Sequence, residues 1–319
     1  MKIFSFSVTA RFPDNRLDQV LSNLQPDLSR RQAKRLIDRG SVFVNRKRIR
    51  KASFRVTPPA FIRIFLKNND ELENKSHQIH WSSLILFRDA DLISVNKPAG
   101  IPTAPTPYSA VHNVYGFLKR EGILPARYFP FHRLDLETSG VLLIPLSRRM
   151  AAHLNRQMKD REIKKQYLAL CAGICKEKSW EISGRIIPQS GTSRQKFTEQ
   201  EQPANSLTRF NLIAQRHDPD ICLIGGNPVT GRTHQIRLHL LKSGLPVIGD
   251  PLYFPARAEF FSEPQPSRLM LHCFTMCFNH PLLKDPLIIQ APLPDDFKIP
   301  LFRYLPELRT MDLQTQCQL

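Results

Sequence analysis

The sequence predicts an α+β protein in two folded units, and three observations carry that expectation. Near the N-terminus, apolar residues recur at helical spacing and then alternate as in a short hairpin. From Trp81 onward, short apolar runs alternate with turn residues, which marks mixed helices and strands. Between them, Lys67 to Glu71 and Asn74 to Ser76 form a polar stretch that reads as a linker. The expected boundaries are a first unit over residues 1–66, a linker over 67–80, a larger unit over 81–305 and a tail over 306–319. A chain of 319 residues is long enough for one substantial core plus a small accessory domain.

Each element has a local reason. Leu17, Val20, Leu21 and Leu24 fall at i, i+3, i+4 and i+7 and make one apolar helix face. A second helix opens at Ser29, with Gln32 three residues later as a capping box. Ala33, Leu36 and Ile37 supply its buried stripe, and Gly40 stands where a left-handed C-terminal cap belongs. Val42-Phe43-Val44 then alternates into a turn at Asn45, and Ile49 begins the return strand. In the larger unit, the buried strand Leu92 to Val95 runs into a rigid Pro98-Ala99-Gly100 turn. The polar loop from Phe131 to Gly140 feeds the apolar strand Val141 to Ile144. Thr233 is placed to cap a helix ending at Ser243, before Gly244, so that Thr233 and Arg237 share one face.

Charge narrows the partners. There are 46 Lys and Arg against 28 Asp and Glu, a formal net charge of +18, and the usual polyanion for such a surface is nucleic acid. Arg30, Arg31, Lys34, Arg35 and Arg39 decorate the second helix, and Arg46, Lys47, Arg48, Arg50 and Lys51 follow the hairpin turn. Within that stretch only Asp38 opposes them. A solvated helix face mixes signs because like charges at i, i+4 repel, so RNA explains this pattern better than plain solvent does. Residues 1–12 carry no long apolar run, so no signal peptide is expected there, and no run of about 18 apolar residues appears, so no membrane span is expected. The six cysteines form no C-x-x-C pair, Cys273 and Cys277 read as core thiols rather than metal ligands, and a reducing cytoplasm is the expected setting. His132, His234 and His239 match no standard metal spacing, and no metal is expected. Asp135, taken alone, reads more readily as a turn-forming aspartate than as a reactive carboxylate.

Two resemblances sharpen this reading. Residues of about 14–60 resemble the small RNA-binding module of ribosomal small-subunit protein four. The match lies in Arg16-Leu17-Asp18, Ser29-Arg30-Arg31-Gln32-Ala33 and Gly40-Ser41-Val42-Phe43-Val44-Asn45. It implies a compact helix-helix-hairpin unit that docks on structured RNA. From about 84 to 297 the chain resembles the RluA family of pseudouridine synthases. His132-Arg133-Leu134-Asp135 followed by Thr138-Ser139-Gly140 carries the family's catalytic motif. Gly231 to His239 and Gly249-Asp250-Pro251-Leu252-Tyr253 fit later motifs, as do Arg268 to His272, His280-Pro281 and Ala291 to Pro294.

That second resemblance implies a mixed, mainly antiparallel sheet with flanking helices and a central cleft. It implies that Asp135 is the catalytic aspartate, that Arg237 pairs with it, and that Tyr167 stacks on the target base. Arg133, with His132 beside it, contacts RNA as the uridine leaves its helix. Two departures leave the RNA target open: Leu136 and Glu137 stand where a basic residue is common, and Pro102 to Pro107 lacks an expected His-Pro.

The reaction so implied breaks a glycosidic bond, turns the base and rejoins it through carbon five. No electrons enter or leave, so no redox cofactor is expected. Asp135 either attacks covalently or removes a ribose proton to give a glycal. Arginine suits it as a partner, because its charge is permanent and its fork can meet both carboxylate oxygens. A base inside a helix must first be flipped out, at a cost of a few kcal/mol. Ribosomal RNA is the substrate expected ahead of transfer RNA, acted on by a monomer. The competing readings are a noncatalytic RNA-binding or ribosome-assembly protein and a metal-dependent hydrolase built on the histidines.

Overall fold

The computed structural model describes residues 2–9, 16–24, 28–38, 40–45, 47–66, 79–105, 112–189, 194–199, 203–254, 266 and 268–311, except for the side chains of 2–5, 32, 35, 65 and 66. Residues 67–78 of the expected linker lie outside this set, as do residues 312–319. The chain divides into two compact units, residues 1–79 with 104–117 and residues 80–103 with 118–319.

The first unit contains β1 (Lys2–Val8), α1 (Leu17–Leu24), α2 (Arg30–Asp38), β2 (Val42–Val44), β3 (Lys47–Ile49) and β4 (Ala60–Leu66). Its strands form one antiparallel sheet in the order β1-β4-β2-β3. The apolar faces read from the sequence are buried: Leu17, Val20 and Leu21 of α1 pack with Ala33 and Ile37 of α2 over Val42, Ile62 and Ile64. Gly40 adopts φ 75°, the left-handed cap that its position after α2 requires. Asn45 turns the chain at φ 48°, so the return strand starts at Lys47, two residues ahead of the expected Ile49. Strands β1 and β4 were not expected, because their pairing is with residues about 60 positions apart rather than with a neighbour.

The second unit is built on one large sheet. Its strands are β5 (Ile85–Arg88), β6 (Leu92–Lys97), β7 (Ser139–Pro145), β8 (Lys164–Ala172), β9 (Ser179–Pro188), β10 (Gln195–Thr198), β11 (Ser206–Arg216), β12 (Ile221–Pro228), β13 (Leu271–Phe278) and β14 (Leu287–Gln290). The helices in chain order are α3 (Val114–Arg120), whose residues 114–117 are counted with the first unit, α4 (Arg148–Lys159), α5 (Gln235–Lys242) and α6 (Asp295–Tyr304). Strand order is β10-β9-β11-β12-β8-β13-β7-β6-β5, with β14 added to β13. Every pairing is antiparallel except β13 with β7, so the sheet is mixed and mainly antiparallel, as the resemblance implied. The central strands β6, β7, β8 and β13 are almost wholly buried, and their apolar runs form the core. Among the described residues, no helix is long and apolar enough to cross a membrane.

One boundary differs from expectation in a way that matters for the site. Helix α5 starts at Gln235, and its cap is His234 at φ 59°, not Thr233. The Gln235 side chain accepts from the Arg232 N–H (3.0 Å) and from Thr230 Oγ1 (2.7 Å), which tightens the preceding turn. Thr233 is therefore outside the helix and shares no face with Arg237. The far end matches: Ser243 caps it and Gly244 takes φ 75°.

Candidate active site

Asp135 lies in the turn that enters β7. That turn is closed by backbone, with the Thr138 N–H donating to the Asp135 carbonyl at 3.2 Å. The carboxylate is thus not spent on its own turn. Instead Oδ2 faces Arg237 Nη1 at 3.5 Å and His234 Nε2 at 4.0 Å, and the side chain keeps about a fifth of its surface exposed.

The loop carrying Asp135 is anchored from several strands. Lys97, fully buried at the end of β6, donates to the carbonyls of Pro98 (2.9 Å), Leu136 (3.1 Å) and Thr138 (2.8 Å). Burial pushes Lys97 down to about 7, against the pull of Glu137. Three carbonyl acceptors match the three N–H bonds of an ammonium, whereas a neutral amine has only two, so the loop favours the charged form. The Gly100 N–H also reaches the Leu136 carbonyl, at 2.9 Å. Thr103 Oγ1 donates to the Leu134 carbonyl (3.0 Å) and accepts from the Leu134 N–H (3.2 Å), one residue before Asp135. On the other side Arg268 donates to Ser139 Oγ (2.7 Å), which pairs with His272 Nδ1 (2.7 Å), whose Nε2 meets the Ala291 carbonyl (3.1 Å).

His132 is used inside the protein. Its Nε2 accepts from the Leu143 N–H of β7 at 2.9 Å, and burial pushes the imidazole down to about 3, so the ring is neutral. Arg133 beside it is exposed and pairs with no carboxylate among the described residues. Tyr167 stands on β8, opposite Gly226 of β12 and Cys273 of β13. Burial foremost, then Cys273 and the charge of Asp135, raise its phenol well above the ordinary range. Asp135, Tyr167 and Arg237 are thereby brought together from a loop, a strand and a helix.

Arg237 reaches Asp135 through Nη1 alone. Its fork is occupied by Asp250, with Nε to Oδ2 at 2.7 Å and Nη2 to Oδ1 at 2.6 Å. Asp250 is 1% exposed and also accepts from the Leu252 and Tyr253 N–H groups (2.9 and 3.1 Å), so it is a fixed bidentate acceptor. Asp135, on a partly exposed loop, receives only the remaining Nη1. Tyr253 lies against the guanidinium with its ring centroid 4.9 Å from Cζ.

The three histidines serve separate tasks. His239 is buried between Ser206 Oγ (3.1 Å) and Thr208 Oγ1 (2.9 Å), and burial pushes it down to about 4. Among the described residues no three His, Cys, Asp or Glu side chains are grouped to hold a metal ion.

In the first unit the basic helix is partly neutralised from within. Asp18, 4% exposed, takes Arg16 and Arg30 at 3.1 Å each, and Lys34 pairs with Asp38 at 2.6 Å. Burial would raise the Asp18 carboxyl, but the two guanidiniums hold it below the usual value. The local sequence window, with only Asp38 in view, missed this partner because it comes from α1. Arg31, Lys47 and Arg48 remain exposed, the last with its guanidinium 5.1 Å from the Phe43 ring centroid. Arg46 and the side chain of Arg35 lie outside the described residues.

Residues that the sequence left without a role thus support the site: Lys97, Thr103, Asp250, Tyr253 and Arg268. The only signal for Asp250 was its Gly-Asp-Pro turn, and Thr103 carried none.

Comparison with known proteins fixes the class first. Residues 91–242 match the RNA pseudouridylate synthase family and residues 15–61 match the S4 domain, so this is an RNA-modifying isomerase with an RNA-binding module. The ribosomal large subunit pseudouridine synthase C of Vibrio vulnificus is 30% identical over 293 residues, covering 87% of this chain and 89% of its own. The dual-specificity RNA pseudouridine synthase RluA of Pasteurella multocida is 34% identical over 218 residues, 65% of this chain and 92% of its own. In fold, the human RNA pseudouridylate synthase domain containing 4 superposes with a TM-score of 0.58 at 20% identity, over 74% of this chain and 97% of that one. The chain belongs to the RluA family of RNA pseudouridine synthases.

Proposed function

We propose that this enzyme isomerises uridines of ribosomal RNA, with Asp135 as the reacting carboxylate. The observation that carries the assignment is the convergence of Arg237 and His234 on one oxygen of a carboxylate that its own turn does not use. In this reading Arg237 sets a permanent positive charge against Asp135 while Asp250 holds the guanidinium in place. Tyr167, kept neutral by burial, stacks on the uracil and retains it while it rotates. Arg133 fills the space left by the flipped nucleotide, and His132 serves the RNA contact indirectly, by tying the loop to β7.

Residues 1–66 act as the RNA-docking domain through Arg30, Arg31, Lys34, Arg35, Arg46, Lys47 and Arg48, joined by a linker over 67–80 to a catalytic domain over 81–305. Ribosomal RNA is favoured by the names of relatives such as that of Vibrio vulnificus and by the S4 domain. A second substrate, transfer RNA, is favoured by the dual-specificity relative alone. The enzyme works as a cytoplasmic monomer without a metal.

The test is pseudouridine mapping of total RNA from a deletion strain, rescued with wild type or Asp135→Asn. Specific pseudouridines should vanish on deletion and return only with wild type, while Asp135→Asn binds RNA normally and loses at least about 10³-fold in rate. An unchanged map, or full rescue by Asp135→Asn, rejects the assignment. Losses confined to transfer RNA reject the ribosomal substrate alone.

A further inference from the structure

Behind Asp135 runs a chain of hydrogen bonds whose direction is fixed at its far end. The Gln195 backbone N–H donates to the Tyr253 hydroxyl at 2.7 Å, and an amide hydrogen has no alternative role. Tyr253 has one proton and two acceptors to choose from: His234 Nδ1 at 2.8 Å and the Gln195 carbonyl at 3.5 Å. The shorter contact takes it. With the Tyr253 proton in that shorter contact, Nδ1 of His234 is an acceptor and carries no hydrogen; with the proton donated to the Gln195 carbonyl, Nδ1 would be the donor.

The state of the His234 ring follows from its surroundings. Burial lowers its pKa first; Asp135 and Asp250 pull it up, and Arg237 and Arg133 push it down, with a net lowering. A neutral ring with Nδ1 unprotonated has its one hydrogen on Nε2, the atom 4.0 Å from Asp135 Oδ2. His234 takes a left-handed backbone, φ 59°, directly before α5. Arg237 Nη1 approaches that same oxygen. No described residue donates a hydrogen bond to Oδ1.

We propose that Tyr253 fixes His234 as its Nε2–H tautomer, so that His234 and Arg237 together anchor Oδ2 of Asp135 and leave Oδ1 as the atom that acts on the nucleotide. The inference rests on the reading that Asp135 is the reacting carboxylate. His234 and Tyr253 are positioning residues, and the 4.0 Å gap closes as bound nucleotide settles the loop, since such contacts tighten in the complex. The assignment of Oδ1 serves both routes. In the covalent route the Oδ1–C1′ bond forms as C1′–N1 breaks, its electron pair leaving with uracil. In the glycal route Oδ1 takes the C2′ proton, that C–H pair becomes the C1′–C2′ double bond, and the C1′–N1 pair again leaves with uracil. Each route reverses through C5, after which the C5 proton is lost and N1 gains one.

The experiment is ¹⁵N–¹H spectroscopy of the histidines in the full-length wild type and in Tyr253→Phe at neutral pH, with kinetics alongside. Wild-type His234 should be neutral with its hydrogen on Nε2, and Tyr253→Phe should shift it towards the Nδ1–H form. The same variant should lower kcat about tenfold, the worth of one hydrogen bond, with KM unchanged. His234→Gln, whose amide can present an N–H near the same place, should retain more activity than His234→Leu. An Nδ1–H tautomer in wild type, a tautomer indifferent to Tyr253→Phe, or an unchanged kcat overturns the proposal. The spectra need no turnover, so they fail separately from the loss of activity in Asp135→Asn that tests the enzyme reading.

Discussion

Arg237 is 4% exposed and Asp250 1%, and the two meet through paired contacts of 2.6 and 2.7 Å. Removing one partner of a buried pair leaves the other charge uncompensated, which costs about 3–5 kcal/mol. Asp250→Ala should therefore lower unfolding free energy by that amount in urea titrations, while Asp135→Asn, at a partly exposed site, should leave it nearly unchanged. Equal stability losses in the two variants would contradict the division of labour between the carboxylates. Both residues stood in recognisable motifs, yet the sequence could not say which of them holds the arginine's fork. That choice depends on which carboxylate is already immobilised by backbone N–H groups, a property of the folded turn at 250–253.

The strand end β6 and the turn after it show the same dependence at the scale of elements. The run of buried residues Leu92 to Val95 predicted a strand, and the Pro98-Ala99-Gly100 turn predicted its stop. Its function became visible only with the Asp135 loop laid against it, through Lys97, Gly100 and Thr103. Thr103→Val keeps the shape but removes both hydrogen bonds to Leu134, leaving a buried N–H and carbonyl unmatched. It should cost about 1–3 kcal/mol and lower kcat several-fold with little change in RNA affinity, which single-turnover kinetics and binding assays would separate. Gly140, at φ 113° where β7 crosses β13, is irreplaceable for a steric reason: a Cβ there would lie 2.1 Å from the Cys273 carbonyl oxygen.

At the scale of the whole molecule, the buried imidazoles set the response to acid. His132, His239 and His272 are pushed by burial to about 3, about 4 and about 3, against 6.5 for the free side chain. Between those limits the unfolded chain binds protons that the native state refuses, so stability is full above about pH 6.5 and declines as the pH falls below it. Each group contributes up to about 1.4 kcal/mol per pH unit, so three contribute roughly 4 kcal/mol per unit at most. Urea midpoints at pH 7, 6 and 5 would register the loss; a flat profile would mean the imidazoles accept protons in place. RNA binding should respond to salt through the exposed cations. Arg31→Gln and Lys47→Gln should each reduce the slope of log affinity against log salt by roughly 0.7–0.9 if they meet phosphates. Arg30 should matter less, since Asp18 already engages it.

The sequence by itself determined the helices of the first unit, its hairpin and the α+β class, and carried the expectation that Tyr167 and Arg237 stand beside Asp135. Those properties reside in spacing, capping and motif, which are local or shared with relatives. Tertiary structure alone decided the partner of Arg237, the left-handed cap at His234, the neutralisation of Arg30 by Asp18 and the buttress from Lys97 and Thr103. Apart from the cap, each is a contact between residues on different elements, made where buried polar groups must find partners, and a local pattern shows only one end of it.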